Sequence, residues 1–372
     1  MTGAMFDPVF GWSAAAELAG DRAWLAALCR VEAALATACA TAGLIPSAEA
    51  ERIRLACDPA GISLPAQQIE AGGNPVIPLA SALRQRAGTD AVHLGATSQD
   101  VLDTAAMLIS REVLALIRAE LAGCEAACAA LAERHAGTPM IGRTLLQQAE
   151  PTTFGVLAAG WGTGLRRALR KLSEAELSGL LAVQLGGAAG TLAGWHPHGA
   201  AVRAALAAEL GLADPGTTWH TERGRIAELA GLLGLAATAI GKPATDVVLL
   251  AQSELAEVAE ANPGGSSAMA HKRNPIAAVT ARAAAAQAPG LVATLLAAGA
   301  PELQRGAGPW HAEWPALRRL LLAVAGGAAR LRVSLGGLRV DEDALRAHLP
   351  TGPVDVGHAA DLVAEYLEGR TR

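Results

Sequence analysis

The chain has 372 residues, of which 52% are hydrophobic and only 3% aromatic, and its formal net charge is −5. This length allows two or three packed units, and the net charge excludes a global attraction to nucleic acid or to an anionic membrane. Alanine and leucine favour helices, whereas the aromatic and β-branched residues typical of strands are scarce. The composition therefore predicts an all-α protein.

Neither the cysteines nor the apolar runs indicate a secreted or membrane protein. The five cysteines show no C-x-x-C pair and no metal-ligand spacing. The N-terminus lacks the basic and apolar regions of a secretory signal, and the apolar run at 229–240 is cut short by Lys242 and Pro243. We therefore expect a soluble, cytoplasmic protein with buried cysteines and no membrane contact.

Apolar residues at helical spacing dominate the chain. They predict long helices at about 99–134, 152–183, 221–260 and 275–298, and no stretch alternates apolar and polar residues as a strand does. Pro243 falls inside the third helix, which should kink or restart near Gly241. We expect an N-terminal helical domain at 1–98, a central long-helix bundle at 99–335 and a shortened C-terminal helical segment at 336–372.

The first polar loop, HLGATSQDVLDTA, covers residues 93–105. Thr97 and Asp100 fit a capping box at the start of the first long helix. A cap alone does not explain why His93, Ser98 and Gln99 lie in the same short segment. The loop is therefore a candidate ligand site as well as a helix cap.

The second polar loop, GRTLLQQAEPTTFG, covers residues 142–155. It contributes Arg143, Thr144, Gln147 and Gln148 just before a helix that we expect to begin near Thr152. Taken alone, this loop indicates little. It becomes informative together with the first loop, because both place polar residues just before a helix start.

The third polar loop, GGSSAMAHKRNP, covers residues 264–275 and is called the lid below. Asn274 is a good N-cap and Pro275 a good first helical residue, so a helix should begin there. A helix start presents unpaired N–H groups, and Lys272 and Arg273 add two cations beside it. A flexible linker with a basic tip is the alternative, but the combination favours an anion site under a mobile loop.

Together the three loops resemble the fumarase/aspartase superfamily, whose lid has the pattern G-S-S-x-M-x-x-K-x-N. The segments HLGATSQDVLDT, GGSSAMAHKRNP, WHTERGR and WHAEW occur in the expected order and are most similar to its cycloisomerases. The resemblance implies a bundle of long helices that builds a twenty-helix core in a homotetramer, with each active site taking its loops from three subunits. It also implies a small polycarboxylate substrate and no metal or organic cofactor.

The resemblance assigns roles to individual residues. Ser266 matches the lid serine that acts as a base in the superfamily's lyases, and Glu257 matches an acidic residue that orients a histidine. Lys272 and His93 complete the expected catalytic set. The expected substrate contacts are Thr97, Ser98, Gln99, Arg143, Thr144, Gln147, Gln148, Arg225, Ser267, Met269, Asn274 and Arg305.

The chain departs from the family pattern at that histidine. Leu145 stands where the lyases carry it, and Gln148 stands where the cycloisomerases carry it. Glutamine only donates and accepts hydrogen bonds, so proton delivery is expected from Ser266, His93 or His271. The leading function is addition of a carboxylate across a carbon–carbon double bond within one substrate. The alternatives are a fumarate-releasing lyase and a structural homologue with impaired catalysis.

Overall fold

The computed structural model describes residue 5 and residues 7–370. The fold is all-α, as the composition predicts, apart from two small antiparallel sheets. The helices of the described residues are α1 Asp7–Phe10, α2 Ser13–Ala19, α3 Asp21–Thr41, α4 Ser47–Ala56, α5 Ala66–Gly72, α6 Val76–Ala87, α7 Ser98–Arg134, α8 Phe154–Leu177, α9 Gly199–Leu210, α10 Gly224–Leu250, α11 Ile276–Ala297, α12 Pro309–Gly336, α13 Glu342–Ala347 and α14 Ala359–Glu368. The strands are β1 Pro139–Thr144, β2 Gln147–Thr153, β3 Val258–Ala259 and β4 Arg339–Val340.

Five long helices form the centre of the fold. Helices α10, α11 and α12 pack against one another, while α7 packs against α8 and α12. Their contacts are made by small and branched apolar side chains, such as Leu233 and Ile240 on α10 and Leu320 and Leu331 on α12, all fully buried. Each buried leucine or isoleucine contributes about 1.5–3 kcal/mol. An interior of alanine and leucine thus takes the place of an aromatic core.

Helix α7 is the longest helix among the described residues. The predicted capping box at its start is confirmed, with the Thr97 N–H donating to Asp100 Oδ2 at 3.0 Å. The helix then runs for 37 residues to Arg134. At a rise of 1.5 Å per residue its ends are about 55 Å apart. The first and second polar loops therefore lie at opposite ends of the bundle.

Two long helices end earlier than predicted. Helix α8 ends at Leu177 rather than near 183, because Gly179 follows with a left-handed φ of 81°. Helix α10 ends at Leu250 rather than at 260, and Ala256 has a φ of 49° in the turns that follow. Within α10 the chain continues through Pro243, so the restart expected near Gly241 is absent from this helix.

The second polar loop is a β-hairpin that leads directly into α8, and the predicted helix start near Thr152 is confirmed to within two residues, since α8 begins at Phe154. Strands β1 and β2 pair antiparallel, and Arg143 lies directly opposite Gln148. The turn between them is made by Leu145 and Leu146, with φ values of 52° and 62° and exposures of 96% and 70%. Two exposed leucines in the left-handed region are costly for an isolated chain.

Three segments are long and apolar enough to cross a membrane by length and composition alone: Ser13–Thr41, Gly224–Leu250 and Ile276–Ala297. The interpretation that Lys242 and Pro243 cut short the apolar run at 229–240 is wrong, because α10 continues through both residues. In the fold all three pack against other helices. For α10 and α11, however, only 39% and 33% of the apolar window is buried, so both helices keep an open apolar face.

Candidate active site

The predicted site residues fall into two groups at opposite ends of the bundle. The α7-start group comprises His93, Thr97, Ser98, Gln99, Arg225 and Arg305. The lid group comprises Arg143, Thr144, Gln147, Gln148, Glu257, Ser266, Ser267, Met269, Lys272 and Asn274. Within a single chain the two groups therefore lie far apart.

In the α7-start group, His93 is held by a buried carboxylate. Its Nδ1 lies 2.6 Å from Oε1 of Glu32, which is fully buried on α3, and its own φ is 63°. Burial alone would lower the pKa of His93, but the charge of Glu32 and its hydrogen bond raise that pKa above its usual value. The sequence gives a signal for Glu32, because it interrupts the apolar face that carries Leu28 and Leu35.

We expect Glu32→Gln to remove the force that keeps His93 protonated. A histidine whose pKa is raised on folding adds stability at low pH, and this contribution disappears as pH rises through the folded-state pKa. Thermal unfolding from about pH 6 to pH 9 should therefore show the largest loss in the variant at the acid end. Glu51→Gln, on an exposed ion pair, is the control. A loss that is equal at every pH would contradict this role of Glu32.

Gln99 and Arg305 meet directly beside the start of α7. Gln99 is fully buried; its Oε1 accepts from Arg305 Nη1 at 3.0 Å, and its Nε2 donates to the His220 carbonyl at 2.8 Å. Arg305 also donates to the Ala188 carbonyl at 3.0 Å and keeps a half-buried guanidinium. These contacts fix a cation next to the first turn of α7.

Arg225 and the two hydroxyl residues lie nearby in different settings. The Arg225 guanidinium donates to the carbonyls of Gly179, at 2.6 Å, and Leu180, and it lies 5.6 Å from the Trp219 ring. Burial lowers its pKa. Thr97 uses its side chain in the capping box, and Ser98 is half-buried at the first helical position. Their substrate contacts stay predictions.

Asp100 binds the loop that contains Gly186 and Gly187 to the α7-start group. The sequence indicated only its role in the capping box. It is buried and accepts from the N–H groups of Gly186 and Gly187, both at 2.9 Å. Its Oδ1 also lies 2.7 Å from Nε2 of buried His220. A carboxylate with this many donors holds the backbone around it in one arrangement.

The lid is closed at its base, which corrects the expected helix start. Gly264 and Asn274 exchange both backbone hydrogen bonds, at 2.8 and 2.9 Å, and the Asn274 side chain donates to the Gly265 carbonyl at 3.0 Å. Asn274 is therefore not the N-cap of α11. That position belongs to Pro275, and the helix begins at Ile276.

The start of α11 is already occupied by a carboxylate of the same chain. Buried Glu260 accepts from the N–H groups of Ala277 at 3.1 Å and Ala278 at 2.8 Å. The prediction that this helix start offers free N–H groups to an anion is therefore wrong for these two groups. The positive charge available to a ligand comes instead from Lys272 and Arg273, which are both exposed.

Ser266 is ordered by its own loop. Its Oγ accepts from the N–H groups of Ala268 at 3.3 Å and Met269 at 3.1 Å, so the hydroxyl proton remains free to be donated. The side chain is half-buried, while Ser267, Met269 and Lys272 are exposed. The lid thus presents a hydroxyl group, an apolar side chain and a cation on one short loop.

Glu257 connects the hairpin to the segment that precedes the lid. It is fully buried, and Arg143 binds it with two hydrogen bonds of 2.7 and 2.9 Å. Thr144, Gln147 and Gln148 are exposed along the same hairpin. Glu257 also contacts a histidine, as the resemblance implies for its counterpart, but this is His348 in the C-terminal segment, which sequence reasoning did not single out.

The five cysteines are free and buried. Burial raises the pKa of Cys29 and Cys39 to about 11, so both thiols are protonated at neutral pH. They act as small apolar core residues, as predicted.

Comparison with known proteins places these features in a family. A family model described as a lyase matches residues 12–290. A 3-carboxy-cis,cis-muconate cycloisomerase of Pseudomonas aeruginosa is 44% identical, over 93% of this chain and 77% of that protein. A nitrosuccinate lyase of Streptomyces davaonensis is 43% identical, over 99% of this chain and 81% of that protein. The crystal structure of a 3-carboxy-cis,cis-muconate lactonizing enzyme from Pseudomonas putida matches with a TM-score of 0.88 and 37% identity, over 99% of this chain and 88% of that chain.

The matched range contains all three polar loops, so the resemblance seen in short segments extends through most of the chain. The similarity of the structures covers the bundle and its connections as well. The chain belongs to the lyase family, within the fumarase/aspartase superfamily of enzymes.

Proposed function

We propose that this enzyme lactonises 3-carboxy-cis,cis-muconate, a step in aromatic degradation. The observation that carries the proposal is the similarity to cycloisomerases of that name over more than nine-tenths of the chain. The lid supports it, because Ser266, Lys272 and Asn274 all stand at the positions where the family pattern requires them.

The reaction adds one carboxylate oxygen to a carbon of a C=C bond within the same molecule. The π electrons move to the neighbouring carbon and are delocalised onto a second carboxylate, and this carbon then takes up one proton. We assign the delivery of that proton to the Ser266 Oγ–H, which is not used in the hydrogen bonds within the lid. Lys272 and Arg305 are cations that stabilise the charge which accumulates before the proton arrives, and His93, whose pKa is raised by Glu32, adds to this effect in its protonated form. No electrons are transferred to another molecule.

This chemistry requires residues from both ends of the bundle, so we propose a homotetramer with shared active sites. The ends lie about 55 Å apart within one chain. The open faces of α10 and α11 support assembly, as do the exposed leucines of the hairpin turn. The five buried, free cysteines support a reducing, cytoplasmic location.

The test of the proposed function is the ultraviolet absorbance of the conjugated diene. Purified protein mixed with 3-carboxy-cis,cis-muconate should abolish this absorbance in a first-order trace at limiting substrate. A stable absorbance with enzyme at micromolar concentration would reject the cycloisomerase.

A second candidate is a lyase that eliminates a group from a substituted succinate. The nitrosuccinate lyase matches this chain almost as closely and over nearly all of its length, which is the observation in its favour. Nitrite release from nitrosuccinate, without loss of the muconate diene, would establish this alternative. Failure of both assays would indicate an impaired homologue.

Shared sites predict complementation between two inactive variants. We expect Ser266→Ala and His93→Asn each to be inactive alone. After mixed dissociation and reassembly, about a quarter of the sites should combine an intact lid with an intact first loop from different subunits. The measurement is turnover after mixing, with light scattering to establish the tetramer. A monomer in light scattering, or no recovery in verified mixed tetramers, would contradict shared sites.

A further inference from the structure

His348 is a histidine of the C-terminal segment that is anchored to the lid group. Its Nδ1 donates to Glu257 Oε1 at 2.8 Å, and its side chain is 24% exposed. Among the residues that the structure describes, its Nε2 makes no hydrogen bond. The imidazole therefore has one nitrogen fixed on a buried carboxylate and the other free at the surface.

Backbone hydrogen bonds around β4 and α13 position His348 next to Glu257. Strand β4 pairs with β3, and the Asp341 N–H donates to the Glu257 carbonyl at 2.9 Å. Asp341 then caps α13 through the Ala344 N–H at 2.9 Å, and this single short helix ends at His348. The β3–β4 pairing, the Asp341 cap and α13 together position His348 beside the Glu257 carboxylate.

Charged side chains surround His348 on several sides. Glu257, from the segment before β3, and Arg143, from β1, are the charged groups that contact this centre from other elements. Arg346 and Asp343 lie on its own helix. Glu257 orients the ring, while Arg143 binds the same carboxylate with two hydrogen bonds.

Gln148, at the position where the cycloisomerases carry a histidine, lies on the same side of the hairpin as Arg143 and therefore as Glu257 and His348. Residues directly opposite each other in an antiparallel pair project to the same side, so Gln148 lies on the face of Arg143. Gln148 cannot carry a proton. His348 brings an imidazole to that face from another part of the chain.

We infer that His348 is the proton-carrying residue of this site, an inference that rests on the proposed lactonisation. Each turnover consumes one proton: Ser266 Oγ–H gives its proton to carbon, and its oxygen must regain one. His348, protonated at Nε2, supplies that proton and recovers one from water. The C-terminal segment thereby contributes to catalysis.

The test compares two substitutions with different chemistry. His348→Gln keeps a donor for Glu257 but cannot transfer a proton, and it should lower kcat about 100-fold or more without changing the unfolding midpoint. His348→Ala should be equally slow, and added imidazole should restore turnover in proportion to its concentration. His358→Gln, at an exposed C-terminal histidine, is the matched control and should keep wild-type turnover. Wild-type turnover in His348→Gln would overturn the inference and would show that the contact between His348 and Glu257 is only structural.

A second measurement does not depend on turnover of muconate. Diethylpyrocarbonate modifies free imidazole nitrogens, and saturating tricarballylate should protect His348 but not His358 when both are followed by mass spectrometry. If wild type fails to consume the muconate, the proposed function fails, while protection still supports His348 as part of the site. Equal modification of His348 with and without tricarballylate would overturn the inference.

Discussion

Ser266→Ala is expected to lower turnover by about two to four orders of magnitude, the usual effect of losing a general acid or base. The hydroxyl is the only part removed, and the backbone pair between Gly264 and Asn274 still closes the lid. Tricarballylate affinity, measured by calorimetry, should therefore remain close to that of wild type. Diene absorbance gives the turnover.

Ser178→Ala, at an exposed helix end far along the chain from the lid, serves as its control. It should keep full turnover. Equal turnover of Ser266→Ala and wild type would show that the lid serine does not move the proton. His93 or His271 would then be tested next by the same pair of assays.

Arg223→Met is expected to destabilise the fold by about 3–5 kcal/mol, because it leaves two buried carboxylates without their cation. Arg223 is almost fully buried; it donates to Asp103 on α7 at 2.7 Å and to Glu313 on α12 at 2.9 Å. The variant removes the charge that joins these two helices to the start of α10. Urea unfolding at one fixed protein concentration gives the difference.

The pH dependence of this variant follows from Glu313. Burial raises its pKa even with Arg223 present, and the Arg223 guanidinium opposes that rise. Without the guanidinium, Glu313 binds a proton more readily in the folded state. A carboxyl whose pKa is raised on folding stabilises the protein at low pH and loses that contribution as pH rises, so the loss in Arg223→Met should shrink in acid.

Arg54→Met is the matched control, since its partner Glu51 is equally exposed. We expect no measurable change in its unfolding midpoint. If the two arginine variants unfolded at the same urea concentration, the buried network would not be a major source of stability.

The long helices were predictable because their apolar residues repeat at helical spacing, and α7 and α11 begin and end within one or two residues of the prediction. The end of α10 was not predictable in this way. Residues 251–260 have a helical composition, but Glu257 is held outside the helix by Arg143 and His348, which lie far away in the sequence. Tertiary hydrogen bonds outweighed a local preference.

The hairpin was not predicted from the sequence for a different reason. Its turn carries Leu145 and Leu146 instead of the glycine or asparagine that normally marks a left-handed turn, and its strands do not alternate. The site was partly predictable, because loop residues such as Ser266 and Gln99 carry recognisable patterns. Glu260 and His348 act only through residues distant in sequence, so no local pattern identifies them.

The backbone hydrogen bonds at the base of the lid reduce the number of lid residues that a ligand must order when it binds. Gly264 and Asn274 exchange both hydrogen bonds, so their Cα atoms lie about 5.5 Å apart before any ligand arrives. The entropy of bringing the ends of this loop together has then already been lost on folding. A bound polyanion needs to restrict only residues 265–273, between fixed ends. More of its interaction energy with Lys272 is therefore available as affinity.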